Sequence, residues 1–295
     1  MTDPNPTSPD SRPGLAVVTP SFNSRHTIRE TLESVRSQGY PRLEHLVIDG
    51  GSTDGTLDIL KEFPRVRWIS EKDEGHYHAM NKGIAMATAD VIGILNADDC
   101  YRPGALLAVG TAFAAHPEWD AAFGDVVFVD GEGREIFRRE EAAWDYDLLR
   151  FGVCYVVHPT LFVRKRTYER LGAYRHRDYL NCCDYEFILR MGAGHGVVGH
   201  IPALLVNYRF HSYGQSADVR VARNTQREAR LIRQAHGVPG GIPGLMLNLY
   251  ARTRRQVQKL RRRGKVDVIP GRWLLRPHMK KRGTFSSNAG VDRLE

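Results

Sequence analysis

Val91-Ile92-Gly93-Ile94-Leu95-Asn96-Ala97-Asp98-Asp99 is the stretch that decides the fold. Its first five residues read as a buried strand. Pro103, four residues past Asp99, suits the first turn of a helix. Two adjacent carboxylates therefore stand at the carboxyl end of a strand, ahead of a helix. In open α/β sheets ligands bind there. Side by side, two carboxylates repel unless a cation or donor groups share the charge. A hard divalent ion with oxygen ligands is the natural partner, and such ions usually also hold substrate phosphates. Taken alone, the same residues could serve only to cap the next helix.

Working outward, the same alternation recurs. Leu15 to Thr19 is a short apolar strand, followed by the turn Pro20-Ser21-Phe22-Asn23-Ser24. Thr27 and Glu30 have capping-box spacing, and Ile28, Leu32 and Val35 mark one helical face up to about Gln38. His45 to Asp49 is the second strand, closed by the polar loop Gly50-Gly51-Ser52-Thr53-Asp54-Gly55. A short helix over Thr56 to Phe63, a strand over Val66 to Ile69 and a helix over Tyr77 to Ala87 lead to the strand before Asp98. Such alternation predicts a mainly parallel, Rossmann-like α/β sheet. Beyond Trp119 the pattern becomes mixed. Ala121 to Asp130 and His158 to Val163 read as strands, and Asp184 to Met191 as a helix. Val197 to Ile201 and Leu204 to Phe210 read as two late strands. The expected divisions are a disordered lead over 1–13, halves over 14–118 and 119–215, and a basic helical extension over 216–295.

The chain has 295 residues, 42% of them hydrophobic, enough for a substantial core. No apolar run approaches the ~18 residues of a membrane-spanning helix, and the N-terminal stretch lacks a signal-peptide core. The cytoplasm is therefore the expected compartment. Cys100, Cys154, Cys182 and Cys183 form no Cys-x-x-Cys pair and read as reduced thiols rather than zinc ligands. The formal net charge of +8 is unevenly spread. Residues 251–295 hold 14 Lys/Arg against 3 Asp/Glu, whereas residues 1–250 hold 28 against 31. A slightly acidic body thus carries a strongly basic tail.

Three motifs now stand in order: Thr19 to Asn23, Ile48 to Gly55, and Asn96 to Asp99. Together they resemble the family 2 glycosyltransferases of the GT-A fold. The linking stretch from Ser70 to Gly83 resembles the branch that builds bacterial surface polysaccharides. The resemblance covers roughly residues 14–215. It implies that Pro20 and Phe22 shape a nucleotide-base pocket, the ring offering a stacking face. It implies that Asn23, Gly51 and Asp73 border the donor. Asp49 would accept a hydrogen bond from a base N–H, which suits uracil. Asp98 would contact the ribose or metal-bound water, and Asp99 would ligate Mn2+ or Mg2+ bridging the diphosphate. Arg209 suits phosphate pairing, and His211 would reach the pyrophosphate or metal. His158 would line the acceptor side or anchor a loop.

An inverting transfer also needs a base for the acceptor hydroxyl. The segment Cys183-Asp184-Tyr185-Glu186 resembles the family's acidic motif at a helix start, so Asp184 takes that role and Glu186 is the fallback. N-capping of its own helix is the competing role for Asp184. His76 and His78 are two residues apart, unsuited to a metal pair on a helix. The activity implied is transfer from a nucleotide-diphosphate sugar, UDP-sugar favoured, to a saccharide or polyprenyl-linked acceptor. A sugar nucleotidyltransferase is the alternative, although the loop after the first strand has no glycine. A catalytically silent protein that kept the GT-A fold and docks on a membrane is another.

From Leu245 a helix is expected, with Met246, Tyr250, Thr253, Val257 and Leu260 on one side and arginines over the rest. That pattern suits an anionic membrane surface or packing on the body. Nucleic acid is an unlikely partner, because no recognition motif accompanies the charge.

Overall fold

The computed structural model describes residues 11–141, 143–210 and 219–263. Strands β1 (Leu15–Ser21), β2 (Leu43–Asp49), β3 (Arg67–Ser70) and β4 (Val91–Ile94) form a parallel half-sheet in the order β3-β2-β1-β4. β1 is buried along its whole length, as its near-continuous apolar sequence requires. Alternate residues face opposite layers. Ala16 and Val18 enter the core beneath one face, Leu15 and Val17 the core beneath the other. In register, Ser21 lies opposite Asp49, so the loops after β1 and β2 leave the sheet side by side.

Helix α1 (Ile28–Arg36) and helix α2 (Thr56–Lys61) cover one flank, burying Ile28, Leu32 and Leu60. The capping box expected at Thr27 does not form. Thr27 makes no side-chain cap bond, and Glu30 instead pairs with Arg209. Helix α3 (His76–Met86) lies directly on β1 and β2. A Cβ on Gly83 would stand 2.2 Å from Val18 Cγ1, so only glycine permits this approach.

After β4 come the two-residue strand β5 (Cys100–Tyr101) and helix α4 (Ala105–Ala115). Pro103 precedes that helix rather than entering it, because Gly104, at φ 78°, provides the start. The second half then extends the same sheet. β6 (Ala121–Val129), β7 (Glu135–Arg139), helix α5 (Tyr146–Arg150), β8 (Leu161–Arg164), helices α6 (Lys165–Leu171) and α7 (Cys183–Ala193), and β9 (Val198–Arg209) follow in chain order. β8 pairs antiparallel with both β4 and β6, and β9 runs parallel to β6. The two late strands expected from sequence are this one long β9. It runs through Pro202, and the β6–β9 register shifts near Gly124 and Asp125 absorb the irregularity. His158–Thr160 is a 3-10 turn, so the strand expected there starts at Leu161.

Helices α8 (Val219–Ala235) and α9 (Gly241–Arg263) pack on the second half, where Ile232 and Ala251 are fully buried. Arg255 and Lys259 point inward and meet the buried Glu141 at 2.5 and 3.6 Å. The first part of the basic tail is thus an integral helix of the body. Residues 264–295 lie outside the described residues. Among the described residues no helix is long and apolar enough to cross a membrane.

Candidate active site

The loops after β1 and β2 are laced together. The Asn23 main-chain N–H donates to Ser52 Oγ at 2.7 Å, and its side-chain Oδ1 accepts from the Thr53 N–H at 3.0 Å. Asn23 adopts φ 49°, a left-handed conformation that asparagine tolerates better than most residues. Pro20 is buried inside β1, whereas Phe22 stands 63% exposed at its end. The ring is therefore the open stacking surface, and Pro20 shapes the strand beneath it.

Asp49, expected to accept from a base N–H, organises its own loop. Its carboxylate is fully buried, and Oδ2 accepts from the N–H groups of Gly51 (3.0 Å) and Ser52 (2.8 Å) and from the Ser70 hydroxyl (2.7 Å). Oδ1 accepts from the Ser52 hydroxyl (2.5 Å) and keeps one further acceptor position. Gly51, at φ 87°, makes the turn that this wrapping needs.

A second carboxylate, the half-buried Asp73, lies beside the exposed ring. A Cβ on Gly50 would stand 2.8 Å from Asp73 Oδ2 and 3.3 Å from the Phe22 ring. The absent side chain of Gly50 thus makes room for the Asp73 carboxylate beside the exposed ring. Its other oxygen accepts from the Gly75 N–H at 2.8 Å, just ahead of α3.

Asp98 and Asp99 differ sharply. Asp99 is 1% exposed; Oδ1 accepts from the Arg209 N–H at 2.9 Å and Oδ2 from Asn96 Nδ2 at 3.1 Å. Burial, and then the Asp98 charge, push its carboxyl well above the usual range. Asp98 is half-buried, in the turn after β4. Arg209 closes the acidic loop from behind. Its guanidinium donates to the carbonyls of Asp98 (3.1 Å) and Gly131 (2.6 Å) and pairs with Glu30. Arg209 is thus occupied as a strut rather than presented to a phosphate. His211 lies outside the described residues.

In the second half, Asp184 sits in the first turn of α7, half-buried. It does not cap the helix: the N-cap position is Cys182, with no side-chain cap bond. Instead, Asp184 Oδ1 accepts from the Tyr77 hydroxyl at 2.8 Å. Burial, then the Asp184 charge, push the Tyr77 phenol well above its ordinary range, so it remains a donor. Two further contacts hold this half in place. Asn81 on α3 clamps the Tyr174 main chain, accepting its N–H at 2.9 Å and donating to its carbonyl at 2.8 Å. Glu228 on α8 accepts the main-chain N–H groups of Leu180 (3.1 Å), Asn181 (2.8 Å) and Cys182 (3.1 Å). Glu228 fixes the approach to α7 and carries no sequence signal, because its partners are backbone atoms. Glu186, the fallback base, is buried and bound by Arg190 at 3.1 and 2.9 Å.

The remaining histidines are structural. His158 Nε2 lies 2.8 Å from the Tyr174 hydroxyl, and burial lowers the ring's pKa. Glu74, His78 and His176 bring one potential ligand atom each within 4.8 Å of one another. His78 Nδ1 accepts the Glu74 N–H at 2.9 Å, and His176 Nδ1 faces the Asn81 amide nitrogen at 3.1 Å. In both neutral rings Nε2 then carries the proton, which is the wrong tautomer for a metal at that atom.

The family model described as Glycosyl transferase family 2 matches residues 16–192. O-antigen biosynthesis protein RfbC of Myxococcus xanthus is 34% identical over 205 residues, 67% of this chain. The chain spans 16% of that protein's length. A PGL/p-HBAD biosynthesis glycosyltransferase of Mycobacterium tuberculosis is 30% identical over 204 residues, 66% of this chain and 73% of the relative. Among solved structures, S. aureus TarS 1-349 in complex with UDP-GlcNAc matches with a TM-score of 0.65 at 15% identity, covering 85% of this chain and 76% of that one. Mannosyltransferase PcManGT from Pyrobaculum calidifontis, in complex with GDP-Man and Mn2+, matches with a TM-score of 0.56 at 21% identity, covering 86% and 72%. At such identities these likenesses speak to the fold.

Proposed function

Because the chain belongs to glycosyl transferase family 2 and has the GT-A fold, we propose that it is an inverting, metal-dependent hexosyltransferase that uses a nucleotide-diphosphate sugar. The observation that supports this reading is a pair of carboxylates at the two ends of one short segment, Asp73 beside the exposed Phe22 ring and Asp184 held by Tyr77, with His76 in electrostatic reach of both.

The Phe22 ring stacks on the base. Asp73 Oδ2 accepts from a base N–H, in place of Asp49, which favours UDP-sugars. Asp98, half-buried, is the ligand for Mn2+ or Mg2+, and the buried Asp99 backs it, an all-oxygen set that suits such an ion. When bound, that ion supplies positive charge to the leaving diphosphate. Asp184 takes the proton of the acceptor hydroxyl as its oxygen bonds to the anomeric carbon, opposite the departing phosphate oxygen. The carbon–phosphate-oxygen bond breaks, and the nucleoside diphosphate leaves with its electron pair.

The acceptor is a saccharide or lipid-linked saccharide hydroxyl in cell-surface polysaccharide assembly. The names of the M. xanthus and M. tuberculosis relatives support that class. A peripheral position on the cytoplasmic face of a membrane fits it. The test is a thermal-shift screen of UDP-, GDP-, dTDP- and CMP-sugars with and without Mn2+. A UDP-sugar should raise the midpoint only when Mn2+ is present. No response to any nucleotide sugar, or an equal response without metal, overturns the reading. Release of nucleoside diphosphate from the donor that binds then separates an enzyme from a silent docking protein.

A further inference from the structure

Helix α9 is inside out. A surface helix normally turns its apolar stripe to the core and its charges to water. Here Asn248, Arg254, Arg255, Gln258 and Lys259 make the contacts to the body. Asn248 Nδ2 donates to the Phe151 carbonyl at 2.7 Å, Gln258 and Arg254 reach Asp145 at 2.8 Å, and Arg255 and Lys259 close on Glu141. Apart from Ala251, which is buried, and Leu247, which is half-buried, the apolar residues point out. Ile242, Leu245, Met246, Leu249 and Tyr250 are 77%, 67%, 61%, 58% and 53% exposed. The stripe continues to Val257 and Leu260, at 40% and 42%. Soluble monomers rarely expose contiguous apolar surface beyond a few hundred Å2.

We infer that this outer stripe of α9 is a membrane-interfacial surface that seats the protein on anionic lipid. Charge selects the occupant. Exposed Arg252 flanks the stripe, and residues 261–295, which continue from it, hold 10 Lys/Arg against 3 Asp/Glu. A second copy carries the same +8 net charge, whereas an anionic bilayer carries the opposite sign. The stripe also lies along one continuous helix, as insertion into a headgroup layer requires.

The placement carries a consequence for the acceptor, and this part rests on the glycosyltransferase reading. Helix α5 packs against both α7, which bears Asp184, and α9. A protein seated through α9 therefore holds its acceptor half next to the bilayer. The acceptor class that fits is an amphiphile anchored in that bilayer, its hydroxyl presented at headgroup level.

The test uses the full chain with vesicles of phosphatidylcholine alone or with 30 mol% phosphatidylglycerol, about a typical anionic load. Parent protein should co-sediment with the anionic vesicles, less with neutral ones, and less at high salt. The double substitution Leu245→Ser/Leu249→Ser should weaken binding about tenfold or more, with an unchanged unfolding midpoint and unchanged nucleotide affinity. Tyr250→Trp gives a second readout, a blue-shifted emission on anionic vesicles. Parent protein that ignores anionic vesicles overturns the inference, as does a double variant that binds like the parent. A solution dimer that the double variant dissociates assigns the face to a second copy instead. A lowered midpoint in the double variant assigns it to this chain's own residues. Nucleotide binding is measured without vesicles, so failure of the glycosyltransferase reading shows separately.

Discussion

Tyr77→Phe is the most direct test of how the base is held. The substitution removes one oxygen and keeps a ring that packs 5.5 Å from Tyr174 and 4.1 Å from His76. What is lost is the 2.8 Å hydrogen bond to Asp184 Oδ1, with the longer 3.3 Å contact to the Asn181 carbonyl. A hydrogen bond to a charged group contributes about 1.5–3 kcal/mol. If the transition state depends on that bond to aim the carboxylate, turnover should fall by roughly 10- to 150-fold. Nucleotide affinity should not change, because the Tyr77 hydroxyl bonds to Asp184 and Asn181 and not to Phe22 or Asp73. The assay is release of nucleoside diphosphate during donor hydrolysis, in which water replaces the acceptor, with nucleotide binding measured in parallel. The double variant supplies the readout that a merely structural role would not move. In an Asp184→Asn background, Tyr77→Phe should cost nothing further, since the two residues act as one unit. Turnover within about twofold of the parent, or additive losses in the double variant, refutes the assignment of Tyr77 as the positioning residue for Asp184.

Three other outcomes follow from the geometry. Gly50→Ala places a methyl group 2.8 Å from Asp73 Oδ2 and should lower nucleotide affinity about tenfold, as should Asp73→Asn; titration calorimetry with UDP checks both, and unchanged affinity in both returns base recognition to another group. Asp98→Ala should abolish the Mn2+ dependence of donor-induced thermal stabilisation while the apoprotein melts normally, and a persistent Mn2+ effect moves the ligand role to Asp99. Acid should destabilise the fold through His45, whose pKa burial lowers from 6.5 to about 3. Between those values the unfolded chain binds a proton that the folded chain does not, so stability is full above 6.5 and declines as pH falls toward 3. The His45 share of the loss at pH 5 is about 2 kcal/mol. Urea unfolding of His45→Gln should therefore show that much less decline between pH 7.5 and 5 than the parent does, and equal declines exclude the mechanism.

Most of the sheet was legible because its strands are short apolar runs between turn residues, and its edge could be located from Asp49 and Asp98-Asp99 alone. The direction in which each carboxylate points was not. Asp49 and Asp98 both end a strand segment, yet four donors from Gly51, Ser52 and Ser70 hold Asp49 inside. That wrapping depends on β3 lying beside β2, a long-range fact. Asp73 could be placed near the donor by resemblance, but its seat against Gly50 needed the fold. The apolar line of α9 was legible as well. Which side of the helix meets the body was not, because it depends on Glu141 and Asp145, more than a hundred residues earlier.

Asp73 and Tyr77 are four residues apart, at the entrance to α3 and in its first turn. One lies against Gly50 and the other bonds to Asp184. Asn81, one turn further along, grips the Tyr174 main chain of the second half. A single short helix thus rivets the two halves together, and any change that displaces α3 disturbs the surroundings of Asp73 and Asp184 at once.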